Sequence, residues 1–274
     1  MNTLERLRRD RVSGVLVTVA AVRGHAPREA GAKMVVTADA TFGSVGGGNL
    51  EEVAIERARS LGSSPELVTI ALSDKAPYQH GVQCCGGEVT LLLEPMATAP
   101  AVAVFGFGHV GLELARILAR HDLDLYLVDS REPQFAPERL KFVDDAVARV
   151  MTRHHSLLPE QALEGLPAGT HILVMTHDHA EDLAICDAAL RTAGLGSIGL
   201  IGSSAKWTNF RKKLSGAGLG NLERIRCPIG VPEITDKRPA SIAVSVAAEV
   251  LTLIEHAAGG IENSHDTTNS GMVA

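Results

Sequence analysis

The stretch 101–131, AVAVFGFGHVGLELARILARHDLDLYLVDSR, decides the fold. An apolar run at 101–106 enters a glycine turn in which Gly106, Gly108 and Gly111 stand as G-x-G-x-x-G. An amphipathic helix is predicted over 109–120, because Val110, Leu114, Ile117 and Leu118 fall at i, i+4, i+7 and i+8. A second apolar run, 123–129, ends on Asp129, where such a fingerprint places an acid for a ribose hydroxyl. The three glycines serve different ends. Gly106 permits the tight turn, Gly108 admits a phosphate to the backbone, and Gly111 lets the helix pack close. The helix N-terminus offers free N–H groups and the positive end of a dipole. The alternative is a turn that serves strand–helix packing alone.

Outward from this stretch the same rhythm continues. HILVMT (171–176) and SIGLIG (197–202) are short apolar runs separated by helical patterns, which predicts a doubly wound parallel sheet. A closing helix is expected over 240–257, with an aperiodic, disordered tail at 259–274. Before the fingerprint, strands are predicted at 14–22, 33–38, 67–72 and 88–95, with a helix after the glycines of GSVGGGNLEE and a linker at MATAP (96–100). The expected fold is therefore α/β: a small N-terminal α+β domain (1–97) followed by a Rossmann-like doubly wound domain (98–258).

Composition narrows the function. Aromatic residues make up only 3%, and the net charge is −6 with no long basic run, which argues against a nucleic-acid partner. No run of about 18 consecutive apolar residues predicts a membrane span. The charged start MNTLERLRRDRVSG lacks the apolar stretch of a secretory signal, so a cytoplasmic location is expected. There the four cysteines would be reduced rather than form a disulfide framework.

Ligands of doubly wound sheets bind beyond the carboxyl ends of the strands. The segments after the predicted strands carry His109; Asp129 and Arg131; Thr176, His177, Asp178, His179 and Asp182; and Ser203, Ser204 and Lys206. The acid at Asp129 favours a free ribose hydroxyl, while Arg131 keeps a phosphorylated ribose open. THDHAED invites a metal reading, but Glu181 and Asp182 stand where a binuclear hydrolase motif wants Asp and His. The bland alternative is a capped helix with solvent-facing histidines. Lys206 lies nearest the expected rim, whereas Lys212 and Lys213 read equally well as a solvated helix face.

The N-terminal domain has two polar glycine stretches. In GSVGGGNLEE, Gly46, Gly47 and Gly48 precede Asn49, expected as a helix cap that leaves backbone donors aimed at open space. In GHAPREAGAKM, Arg28 and Lys33 are candidates to reach an anion there. A capped glycine β-turn without a ligand is the alternative. Cys84 and Cys85 stand together in QCCGG, before Gly86 and Gly87. They are candidate reactive thiols, a redox pair whose adjacent disulfide would be strained and readily reduced, or small hydrophobes with a packing role.

In their order along the chain, these stretches resemble the XdhC/CoxF (CoxI) family, accessory proteins of xanthine dehydrogenase and related molybdenum hydroxylases. The matching pieces are GHAPREAGAKMVV, GSVGGGNLEE, QCCGGEVTLLLEP, FGFGHVGLELARILA, LVDSR, MTHDHAEDL, IGLIGSSAKWTNFRKKL, CPIG and the closing helix with Glu249. His25 departs from a small hydroxyl residue expected at that position. The resemblance implies a chaperone rather than a turnover enzyme. It would bind the molybdenum cofactor (molybdopterin carrying molybdenum) while a cysteine desulfurase supplies the sulfido ligand. It would then hand the cofactor to an apo xanthine dehydrogenase or related molybdenum hydroxylase. The cofactor is an anionic pterin, suited to glycine loops, and a thiolate is a soft ligand for molybdenum. Cys85 is the favoured thiol ligand, with Cys84 as its helper or a bystander. A homodimer is expected. The competing reading is an NAD(P)-dependent oxidoreductase, with the dinucleotide on Gly106, Gly108, Gly111 and Asp129 and a proton donor in His177 or His179.

Overall fold

In the N-terminal part, helix α1 (Thr3–Arg9) precedes strands β1 (Gly14–Arg23), β2 (Lys33–Val36) and β3 (Thr41–Gly43). Helix α2 (Gly48–Ser60) and strands β4 (Glu66–Ala71) and β5 (Glu88–Met96) follow. The structure is a computed structural model that describes residues 3–72, 87–155 and 158–262. The chain divides into two units, Met1–Thr98 and Ala99–Ala274.

In the first unit the strands form an antiparallel sheet in the order β3-β2-β1-β5-β4. Alternation decides which face is covered: Val15, Val17 and Val19 of β1 and Val89, Leu91 and Leu93 of β5 are buried, one residue in two. They pack with Leu50, Ala54 and Ala58, which recur at four-residue spacing along one side of α2.

The second unit runs through β6 (Ala101–Phe105), α3 (His109–Leu118), β7 (Asp124–Asp129), β8 (Arg149–His154) and β9 (His171–Val174). It continues with α4 (His179–Arg191), β10 (Ile198–Leu200), α5 (Ser204–Gly216), β11 (Ile225–Arg226) and α6 (Pro239–Glu262). All six strands are parallel, in the order β11-β10-β9-β6-β7-β8. Every residue of β6 and β7 is buried, because helices cover both faces. Val102, Val104, Leu125 and Leu127 pack with α3 and α6, and Ala103, Phe105, Ile172 and Ile198 with α4 and α5. Strand order reverses between β6 and β9, which sets the crevice at their carboxyl ends.

The pattern did not reveal β3, β8 or β11. The first and last are three and two residues long. Strand β8, RVMTRH, lies at the sheet edge, where polar side chains are tolerated and the apolar run is lost. Helix α6 continues past residue 257 to Glu262, while residues 263–274 lie outside the described part. Over Pro239–Ala257 this helix is long and apolar enough to cross a bilayer, with mean hydropathy 1.4. It nevertheless packs Ala243, Val246 and Val250 into the core beside α3 and buries Glu249, which pairs with Arg226.

Candidate functional site

The fingerprint turn is built as its glycines require. Gly106 has φ +103°, and a Cβ there would lie 2.3 Å from the Met175 carbonyl oxygen. At Gly111 a Cβ would meet the Gly106 carbonyl oxygen at 2.1 Å, so α3 sits directly on the turn. Gly108, the N-cap of α3, has only the Arg131 guanidinium near its missing Cβ, at 3.9 Å, so this face is open to a ligand. His109 opens the helix beside it. Phe107 is fully buried and stacks on Phe135 at 5.8 Å, while Arg139 Nη2 donates to the Phe107 carbonyl oxygen at 2.7 Å.

Asp129 does not have the freedom that a ribose-reading acid needs. It is 2% exposed. Its Oδ1 accepts from the Arg131 backbone N and Nε, both at 2.9 Å. Its Oδ2 accepts from Phe107 N at 2.7 Å and Arg131 Nη2 at 2.9 Å. Burial opposes its ionisation, but the Arg131 guanidinium and the two backbone N–H groups prevail and hold the carboxyl below its usual range. A carboxylate has about four lone-pair positions, and all are taken. Asp129 therefore locks the turn to β7 and anchors Arg131. The expected ribose contact, and with it the dinucleotide fit, loses its central acceptor.

The loops after β9 and β10 are tied together by a buried ion pair. Asp182 is fully buried; its Oδ1 accepts from Thr176 N at 2.9 Å and Thr176 Oγ1 at 2.7 Å. Its Oδ2 receives Lys206 Nζ, which also donates to the Ile201 carbonyl oxygen at 3.0 Å. The Lys206 side chain is 11% exposed and lies over the Phe210 ring. Lys206, the expected anion contact of this rim, is instead committed to Asp182. Ser203 caps α5, its Oγ accepting from Lys206 N, and Asp178 caps α4 by accepting from Ala180 N and Glu181 N. Those backbone N–H groups hold the exposed Asp178 carboxyl below its usual range.

His177 and His179 go separate ways. His177 is half-exposed with Nδ1 at 3.7 Å from Glu181 Oε2, whereas His179 meets Phe210 edge-on. His179, Ser203 and Lys206 line a groove of about 1100 Å³ between α4 and α5 together with Leu183, Phe210 and Leu214. Among the described residues, no group of three or more His, Cys, Asp or Glu side chains is placed to hold a metal. Glu181, passed over in the sequence except as a departure from a metal motif, belongs to this edge. Its side chain is 11% exposed, Ser130 Oγ donates to it at 3.2 Å, and burial pushes its carboxyl above the usual range. Glu181 holds the third helical position after the Asp178 cap, yet the Asp178 N–H donates to Thr176 Oγ1, so no capping box forms and the local pattern carried no signal for the Ser130 contact.

In the first unit the glycine turn closes on itself. Gly47, with φ +71°, is the N-cap of α2, and Asn49 is not. The Glu51 carboxylate folds back to accept from Ser44 Oγ at 2.7 Å and Gly47 N at 3.0 Å. Burial opposes ionisation of Glu51, yet Ser44 and the backbone N–H groups outweigh it and keep the carboxyl below its usual range. The donors expected to face open space are thus partly taken. Gly46 packs on Pro27, 3.0 Å from its missing Cβ, and Gly87 packs on the His25 carbonyl oxygen at 2.1 Å. Both polar glycine stretches and the start of β5 therefore meet at one end of this sheet. Arg28 is exposed there. Lys33 is not part of the group: its Nζ donates to Thr18 Oγ1 at 2.8 Å. Thr18 and Lys33 alternate with the residues that face α2, so this pair lies on the opposite face of the sheet. Gly48 opens α2, and a Cβ on Gly47 would meet nothing within 4 Å.

The anionic pterin of the molybdenum cofactor fits part of this set: Arg28 offers charge and Gly47 offers space, while the Asn49 amide is shielded from solvent. Cys84 and Cys85, expected as thiol ligands, lie outside the described residues. The other two thiols are desolvated. Burial pushes Cys186 up to about 12 and also raises Cys227, which suits inert packing rather than nucleophilic or ligand roles.

Residues 102–250, more than half of the chain, match the profile described as the XdhC Rossmann domain. Residues 7–70 match that of the XdhC and CoxI family. The chain belongs to the XdhC and CoxI family. Among curated proteins it is similar to the molybdenum cofactor insertion chaperone PaoD of Escherichia coli (strain K12). The two are 29% identical over 269 residues, covering 88% of this chain and 84% of PaoD. It is also similar to the uncharacterized protein YqeB of the same organism, 26% identical over 244 residues. That alignment takes in 87% of this chain, which spans only 43% of YqeB. A solved structure, described as a xanthine dehydrogenase (BH1974) from Bacillus halodurans, aligns with a TM-score of 0.48 at 18% identity, covering 97% of this chain and 96% of that one.

Proposed function

We propose that this chain is a chaperone that binds the molybdenum cofactor, supports its sulfuration by a cysteine desulfurase and delivers it to an apo xanthine dehydrogenase or related molybdenum hydroxylase. The observation that carries the reading is the match to both family profiles, joined to a relative named as a molybdenum cofactor insertion chaperone along most of its length. The geometry agrees with holding rather than turning over a ligand. The acid that a dinucleotide oxidoreductase would use is occupied by Arg131 and Phe107, and Lys206 is occupied by Asp182. In this reading the first unit holds the pterin beside Arg28 and the Gly46–Gly48 turn, with Cys85 as thiol ligand to molybdenum. The open Gly108 face remains for a phosphorylated part of a ligand. The protein acts in the cytoplasm as a homodimer.

The test is anaerobic incubation of the full chain with cofactor released from a molybdenum hydroxylase, followed by desalting and assay of co-eluting molybdenum and pterin fluorescence. Wild type should retain both, and Cys85→Ala should lose most of the molybdenum. A wild-type chain that emerges without pterin under saturating supply overturns the reading. Equal retention of molybdenum by Cys84→Ala, Cys85→Ala and wild type overturns the thiol assignment alone.

A further inference from the structure

The sequence places Asn49 where a helix cap belongs, yet other residues do the capping. Gly47 is the cap residue, and the Glu51 carboxylate takes Ser44 Oγ and the Gly47 N–H. Asn49 is displaced to the second position of α2, where it is 4% exposed. Its Oδ1 and Nδ2 are both shielded from solvent and both without a hydrogen-bond partner. A buried carboxamide carries one acceptor and two donors, and leaving them unmade is costly because desolvation is uncompensated. Local structure does not explain the residue: α2 is capped without it, and the neighbouring Leu50 and Ala54 fill the core.

The surroundings define what could complete it. The first N–H groups of a helix have no partner one turn back, so the Gly48–Leu50 turn presents further donors. The turn is filled by Pro27 on the Gly46 side and open on the Gly47 side. Glu51 lies within the turn as a carboxylate, so a phosphate brought to the same donors would meet a like charge. A neutral group that places an N–H beside a carbonyl oxygen meets no such repulsion and pairs with a carboxamide through two hydrogen bonds.

We infer that the Asn49 carboxamide reads the lactam edge of a bound pterin at the start of α2. This rests on the chaperone reading and assigns to the glycine turn the neutral end of the cofactor rather than its phosphate. Since both amide atoms are shielded in this structure, the ligand enters by displacing what covers them.

Asn49→Leu separates this from a structural role, since it replaces the amide by an apolar side chain of similar size. The full chain is loaded anaerobically with cofactor released from a molybdenum hydroxylase, and pterin retention is titrated beside thermal unfolding of the unloaded protein. The expected result is unloaded stability equal to or above wild type, with retention weaker by roughly 10- to 100-fold for two lost hydrogen bonds. Asn49→Ala, which introduces a strong helix former, repeats the measurement should the leucine variant fail to fold. Unchanged retention in a folded variant overturns the inference and leaves the chaperone reading standing; buried waters would then be the partners of the amide. A wild-type chain that retains no pterin overturns both.

Discussion

Replacing Lys206 by methionine distinguishes a lysine committed to the fold from one free to hold an anion. In the structure its ammonium meets the fully buried Asp182 and is itself 11% exposed, so the substitution strands a carboxylate in the interior. Removing one partner of a buried pair costs about 3–5 kcal/mol. Little solvent screening reduces that figure here, because neither side chain is substantially exposed. Trp207 is the single tryptophan of the chain, next in sequence and on the same helix, so its fluorescence reports unfolding of the second unit. With a urea slope of about 2 kcal/mol/M, the midpoint of Lys206→Met should fall by about 1.5–2.5 M. Adding Asp182→Asn removes the stranded charge while its Oδ1 still accepts from Thr176. That second change should return part of the loss, leaving a deficit of about 1–2 kcal/mol. A midpoint for Lys206→Met within about 0.3 M of wild type would refute the structural role. A loss that Asp182→Asn does not relieve would place the cost in the packing of the lysine stem on Phe210 instead.

The three fingerprint glycines should separate in the same assay. Gly111→Ala drives a Cβ against the Gly106 carbonyl oxygen and should cost about 1–3 kcal/mol, whereas Gly108→Ala meets only a flexible guanidinium and should stay within about 0.5 kcal/mol. Equal losses would show that Gly108 packs as tightly as Gly111. Glu181→Gln should raise stability at neutral pH. The folded carboxyl titrates above its unfolded value, so the unfolded state ionises more readily, and the penalty is complete only above the folded pKa. The gain should therefore vanish below about pH 4, under the ordinary glutamate value. A gain that persists in acid would refute the assignment.

How far the sequence carries depends on whether a property is local or shared. The parallel sheet was legible because strands buried on both faces leave uninterrupted apolar runs, as in AVAVF and DLYLVD. The edge strand β8 was not, since one side of it needs no apolar cover. At the site, the glycines could be read individually because backbone geometry dictates each of them. Charged residues could not, because their role depends on a partner far along the chain. Asp182 lies 24 residues from Lys206, and Glu181 lies 51 from Ser130. A motif therefore nominated Lys206 and Asp129 as ligand groups, when each is already engaged inside the protein. The converse holds for Asn49. Its residue type named the nearest local role, capping, but Gly47 and Glu51 had filled it. A polar side chain that the fold pairs can be withdrawn from the site. Asn49, which the fold buries and leaves unpaired, is where the inferred pterin contact falls.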